Sequence, residues 1–328
     1  MNVCLAFYCR HGSAVILPGV WRTFCLHWNT RRGVRWNKDI FTGEKMYLVR
    51  WLLLLPTTLL AASLSQVEQA RDLYHRTNYQ DSLKVLSALP SKDPDVLQLL
   101  GQNYFMLGDY KKATEALEKS LALSGHEPKV YLWLGRAYGR RAEAAGPFTA
   151  PGYASHARKM FEKAVEMDIS SREAVGDLLD YYLGAPGFLG GGLAKAEELA
   201  NKVAAVDPPE SHYLLAQIED KRKRYEAAEQ HLRRARELAP RTVNRVLDLA
   251  LFLAKRGRHK ESDNLFAEAE GLEPANPRVV FYRAQTYIES QRNLEDARKL
   301  LREYVALPLT PEDPPRESAR ALLAKIQP

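Results

Sequence analysis

The side chains able to do chemistry are scattered along this 328-residue chain rather than gathered into a motif. Beyond residue 65 the histidines are His75, His126, His156, His212, His231 and His259, and they show no paired ligand spacing. Neither Gly-x-Ser-x-Gly nor His-Glu-x-x-His occurs. Cys4, Cys9 and Cys25 all lie in the first 45 residues, so the body can form neither a disulfide nor a thiolate metal site. A cysteine-free body suits an oxidising compartment, where an unpaired thiol is a liability. The sequence therefore calls for no enzyme, no cofactor and no metal. Its chemistry is that of binding.

Two segments combine Pro and Gly with an aromatic: Arg140 to Tyr153, carrying Phe148 and Tyr153, and Gly184 to Leu193, carrying Phe188. This composition makes shaped loops rather than slack linkers, and functional residues are often found on such loops. Exposed aromatics are costly, so Phe148, Tyr153 and Phe188 are expected to pack their loops down. A further reading makes Gly190-Gly191-Gly192, with Lys195 nearby, an anion-binding nest, although no strand precedes it and no Walker pattern accompanies it. Residues 221–260 hold 13 Lys/Arg and four acids. Lys221, Arg222, Lys223 and Arg224 form one run, and Lys255, Arg256, Arg258 and Lys260 another. Such runs are usually solvated turn residues. The functional alternative is a dock for an acidic partner or an anionic surface. The net charge of +7 is no nucleic-acid signal. Residues 1–45 hold seven Lys/Arg against two acids, and Arg50 follows, which leaves only +1 for 66–328.

The elements that must position these segments announce themselves by repetition. Leu100-Gly101-Gln102-Asn103-Tyr104 recurs further on as Leu134-Gly135-Arg136-Ala137-Tyr138. Gly108-Asp109-Tyr110, Ala113 and Leu117 lie between. Ala228, Leu232, Ala235 and Pro240 become Ser262, Phe266, Ala269 and Pro274 at the same spacing. Apolar residues keep a helical period within each unit. A fixed period of this length marks a stacked array, in which each unit exposes an apolar face that only the next unit covers.

The pattern L-G-x2-Y, A-x3-F, P resembles the tetratricopeptide repeat (TPR) over roughly residues 66–326. The resemblance implies an all-α solenoid: a right-handed superhelix of about seven helix pairs, A and B, with Arg316 to Ile326 as closing helix. The expected core residues of the fifth unit include Leu215 and Ala216. Extra residues stand between helices A and B of the third unit, about ten of them, and of the fourth, about five. These inserts, at 140–156 and 184–193, should lie side by side on one edge, which the basic runs of units five and six extend. In TPR proteins helix A lines a concave groove. Carried over, that lining is Gln98, Gln102, Phe105, Met106, Leu132, Arg136, Tyr213, Gln217, Leu247 and Leu251, with Phe281 and Gln285 in the seventh unit. The Lys and Asn of a carboxylate clamp are absent. A groove of amides and apolar groups suits an extended peptide or a partner helix.

Residues 46–65 read as a secretory signal peptide: Arg50, an apolar stretch from Trp51 to Ala62, and small residues to Ser65. The apolar run is too short for the ~20 residues of a comfortable bilayer span. Residues 1–45 read as an over-extended start or a disordered tail. The expectation is an exported, non-catalytic interaction scaffold, periplasmic or secreted, or membrane-anchored if uncleaved. Its alternatives are a surface-docking module using the basic edge and an accessory subunit of an envelope enzyme.

Overall fold

The structure, a computed structural model, describes residues 66–89, 93–124 and 127–326. The expected leader and the 45 residues before it lie outside them. Every described element is a helix. Residues 66–75 form α1, followed by α2 (Tyr79–Ser87), α3 (Pro94–Met106), α4 (Tyr110–Ser124), α5 (Pro128–Ala144), α6 (Ala150–Met167) and α7 (Arg172–Gly184). A 3-10 turn at Gly187–Leu189 leads into α8 (Leu193–Ala204). Then come α9 (Pro208–Lys221), α10 (Tyr225–Leu238), α11 (Val243–Lys255), α12 (His259–Leu272), α13 (Pro277–Glu289), α14 (Leu294–Ala306) and α15 (Arg316–Lys325). Seven antiparallel pairs stack in order and α15 covers the last face, with Ala319 and Ile326 buried.

Local chemistry sets the boundaries. Helix A often starts on an acidic or amide residue followed by proline. Asp93 accepts from Asp95 N before Pro94, Asp207 from Glu210 N before Pro208, and Asn276 from Arg278 N before Pro277. In five of the seven pairs helix A ends on a residue in left-handed backbone: Thr77, Gly108, Lys223, Gly257 and Gln291. The next amide then reaches back beyond one full turn, as from Arg224 to Glu219 O, Arg258 to Leu253 O and Arg292 to Tyr287 O. The last three of these turns follow one another at the repeat period.

Packing follows the repeat. The small residues Ala113, Ala157, Ala196, Ala228, Ser262 and Ala297 are fully buried where helix B meets helix A. A Cβ on Gly135 would stand 2.5 Å from the Phe161 ring, and one on Gly101 would stand 2.4 Å from Leu117 Cγ. These glycines let the helices of a pair approach. In α9 the register differs from expectation: Leu214 and Ile218 are the fully buried residues, while Leu215 is only partly buried. Pro208 and Pro209 begin that helix one position early, which turns its apolar stripe.

The first insert is mostly not a loop. Arg140–Ala144 continue α5, and Ala150–His156 belong to α6, leaving 145–149 as the connection. Extending an existing helix satisfies each added amide within the chain. The second insert is a shaped turn, built on the 3-10 residues and glycines.

The two ends of the array meet. Arg316 Nη1 donates to Thr77 Oγ1 at 2.9 Å, and Arg316 Nη2 donates to Leu307 O at 2.8 Å. The segment between α14 and α15, residues 307–315, thus acts as a strap that brings the last repeat to the first. Arg278 Nη2 donates to Glu312 O at 2.9 Å and holds the strap from α13.

Candidate functional site

The concave faces of the first four repeats and the strap line an open cavity of about 900 Å³. Its aromatic wall is Tyr74 from α1, Phe105 from α3, Trp133 from α5, Phe161 from α6 and Tyr181 from α7. Phe105 meets Trp133 edge-on, with ring centroids 5.2 Å apart. Glu173, Asp177 and Asp180 from α7 stand in the lining with Arg136. Arg278, Pro311 and Glu312 come from the other end of the chain.

Charge in the cavity is partly cancelled. Arg136 donates through Nε to Asp177 Oδ2, and its Nη2 lies 3.2 Å from Glu173 Oε2. The same guanidinium sits over the Trp133 ring, 4.9 Å from its centroid. Burial raises the Asp177 carboxyl above the usual range, against the pull of Arg136. Asp180 and Glu312 make no side-chain ion pair among the described residues. Two buried donors are also unmatched. Tyr74 is 5% exposed and Trp133 7%, yet neither the phenol oxygen nor the indole Nε1 has a partner. Burial, with the neighbouring Tyr79 and Glu312, drives the Tyr74 pKa well up. Gln102 Nε2, on the adjacent α3, is a third buried donor with none. A buried donor without an acceptor is costly, and these atoms are covered by the protein itself rather than open to the cavity. No nucleophile with a positioned base lines it. Among the described residues no cluster of three or more His, Cys, Asp or Glu could hold a metal ion.

The residues expected in the groove divide. Phe105, Met106 and Arg136 line the cavity, and Gln102 is buried beside it. Leu132 and Leu247 do not face the groove. They are 4% and 3% exposed within the core, because these positions face the neighbouring helices. Tyr213 lies under Arg245, 4.6 Å from its guanidinium carbon, and with Gln98, Gln217 and Leu251 it stands outside the cavity. Phe281 is buried in the last core cluster, and Gln285 donates to Glu289. The sequence reading missed Tyr74, Trp133, Asp177 and the strap. Glu173 and Asp180 were within reach, since they occupy the groove positions of the fourth helix A. Glu312 was not, because nothing local says that the ends meet.

Beyond the cavity, Arg245 is buried in an ion cluster. It donates to Glu210 Oε2 at 2.6 Å and lies 3.1 Å from Asp248 Oδ2. Burial pushes the Asp248 carboxyl up to about 7, with Arg245 opposing and Glu210 adding to the rise.

The insert edge corrects three expectations. Tyr153 packs as foreseen, under Arg141 at 4.2 Å and stacked on Tyr138. Phe148 and Phe188 do not: they are 98% and 84% exposed. Their turns are closed by backbone bonds instead, so neither ring is needed to hold them. The triglycine is no nest. The amides of Gly190, Gly191 and Gly192 donate to Gly187 O, Pro186 O and Tyr182 O. A Cβ on Gly191 would stand 1.9 Å from Ala185 O, so the glycine serves a close backbone approach. Lys195 stands over the Tyr182 ring. The basic edge is largely neutralised by its own acids. Arg222 pairs with Glu197 and Glu219, Arg224 with Glu219, Arg256 with Asp220, and Arg258 with Glu229 and Glu261. Among the described residues Lys221 and Lys223 remain exposed and unpaired.

Tetratricopeptide-repeat family profiles match residues 94–126, 190–241 and 247–314. A tetratricopeptide repeat protein from Parabacteroides merdae superimposes with a TM-score of 0.51 at 14% identity, covering 81% of this chain and 99% of its own. A thermophilic TPR protein from Thermus thermophilus gives a TM-score of 0.47 at 21% identity, over 58% of this chain and 98% of that one. No curated protein sequence matches. Tetratricopeptide repeats generally mediate protein–protein interaction, and the fold is typically a non-catalytic scaffold. Hairpins at a constant period, their small crossing residues and the matched profiles agree: the chain is a tetratricopeptide repeat protein.

Proposed function

We propose that the chain is a non-catalytic scaffold, exported through the leader at 46–65, that binds an extended peptide segment of a partner in the concave cavity. The observation that carries this reading is the aromatic wall of the 900 Å³ concave cavity, whose lining also holds the acids Asp180 and Glu312, unpaired among the described residues. An extended segment presents side chains along its run to a concave face of this kind. The aromatic rings bury apolar side chains. Asp180 and Glu312 favour a basic side chain on the same segment. Export is supported by the three regions of the leader and by the cysteine-free body.

A photo-crosslinking side chain at position 105, and another at position 251, tests the cavity in the native host. The expected result is a partner adduct from position 105 and none from position 251, which packs against the core. Phe105→Ala with Asp180→Ala should then weaken binding of the captured partner by about tenfold, from lost apolar and charge contacts. Binding unchanged by that pair rejects the cavity. Amino-terminal sequencing of the native product tests export: a chain beginning between Ala62 and Gln66 is expected, and a product retaining Cys25 rejects it.

A further inference from the structure

All turns from helix A to helix B lie on one edge of the array, because every pair runs in the same sense. Phe148 stands in the turn of the third repeat and Phe188 in that of the fourth. Both rings are almost wholly in water, although the array buries most of its other large apolar side chains. The backbone around them is fixed. Thr149 N and Ala150 N donate to Gly146 O at 3.0 and 2.9 Å. In the other turn Tyr181 Oη donates to Leu189 O at 2.9 Å, and Gly192 N to Tyr182 O at 2.8 Å. Gly191 allows no side chain there. The chain therefore commits a glycine-dependent turn to holding a phenylalanine in solvent.

We propose that this edge docks on an anionic lipid bilayer, with Phe148 and Phe188 as the inserting side chains. Two features choose lipid over a protein. The rings sit on separate turn tips flanked by exposed Gly, Pro and Thr, so they form two prongs and not one continuous patch. A protein partner needs a continuous surface of roughly 800 Å². A fluid interface takes each prong independently. The same edge continues through Lys221, Lys223 and Lys260, which are exposed and make no ion pair among the described residues. Cations beside an apolar prong are attracted to anionic headgroups. Glu226 is exposed and dilutes this charge, and the exposed Glu143 and Glu261 pair with Arg140 and Arg258. Among the described residues no helix is long and apolar enough to cross a membrane, so the contact is peripheral. Phe148 and Phe188 do not line the peptide cavity, although Arg140, Glu143 and Ala185 of the same inserts do, and lipid docking does not depend on peptide binding.

Vesicle flotation tests it. The array from Gln66 onward carries all four core clusters and avoids the apolar leader. It is mixed with phosphatidylcholine vesicles, with and without phosphatidylglycerol. Flotation with the anionic vesicles and little with the neutral ones is expected. Phe148→Ser with Phe188→Ser should lower binding by at least about tenfold, each ring being worth that much when it leaves water. The fold should be unchanged by circular dichroism, since neither ring is buried. Lys221→Glu with Lys223→Glu should lower binding to the anionic vesicles only. An array that floats with neither vesicle overturns the proposal, as does a serine variant that floats like the parent. If sedimentation shows self-association lost in the serine variant, with no flotation, the edge joins two copies of the chain and lipid docking is rejected.

Discussion

Gly191 and Gly135 both exclude a side chain, but they differ in what stands in the way. A methyl on Gly191 meets a backbone carbonyl, Ala185 O, which cannot give without rebuilding the turn. A methyl on Gly135 meets the edge of the Phe161 ring, which can tilt. Gly135→Ala should therefore lower stability by about 1–3 kcal/mol, a drop in Tm of roughly 2–10 °C. Gly191→Ala should open its turn instead, measured as protease cleavage within 185–192. An unchanged Tm for the first, or a protected turn for the second, contradicts the packing. Asp248 makes a pH prediction. Its folded pKa of about 7 lies above the ordinary 3.8, so the folded state holds the proton more tightly than the unfolded state does. The resulting stability is present in full below pH 4 and is lost as pH rises through 7. Asp248→Asn keeps the neutral shape at every pH, so the Tm of the variant relative to the parent should rise by several degrees between pH 4 and pH 8. A constant difference would show that the carboxyl is not raised.

Among elements, the basic turns prove to be stitches between repeats. Arg258, in the turn of the sixth repeat, reaches Glu229 on α10, and Arg292, one repeat on, reaches Asp263 on α12 at 2.7 and 2.9 Å. The two pairs are related by one repeat step. Each arginine grips helix B of the repeat before it. Arg236 and Glu268 tie α10 to α12 as well. Pairs this open to water each contribute little, and salt screens them. Glu229→Gln should thus lower Tm by a few degrees at most, and the loss should shrink at high salt. A salt-independent loss would assign Glu229 a different role. These pairs also explain why charge in the sequence misled. Composition counts arginines, but the acids that answer them lie most of a repeat earlier and become neighbours only once the helices stack. Helix periods, turns and small crossing residues are local, so they were legible. The first insert was not, because Gly146, Pro147, Pro151 and Gly152 made the whole of Arg140 to His156 read as loop. Proline is tolerated in the first turn of a helix, which is where Pro151 stands.

The whole molecule departs from a simple solenoid in one respect, and that departure yields the sharpest test. In an open array each repeat touches only its neighbours, so damage at one end leaves the other end untouched. Here Arg316 bonds to Thr77, and Glu312 lies close enough to Tyr74 and Tyr79 to help raise both phenols, Tyr79 to about 12. The Tyr79 shift is due first to burial, then to Glu312 and Glu317. The groove residues of the first helix pair are thus completed by a segment from the far end of the chain, which is why no sequence period pointed to the cavity. Arg316→Ala removes three donations at once, to Thr77 Oγ1, Val305 O and Leu307 O. It leaves α15 with its apolar contacts at Ala319 and Ile326. Hydrogen exchange should then quicken at two remote places: the strap itself and the amides of 66–87. Helices α9 to α12, which touch neither end, should exchange as before. In an open array only the carboxyl-terminal amides would respond. Unchanged protection at 66–87 would therefore mean that the ends lie together without stabilising one another, and that the strap is a passive wall of the cavity.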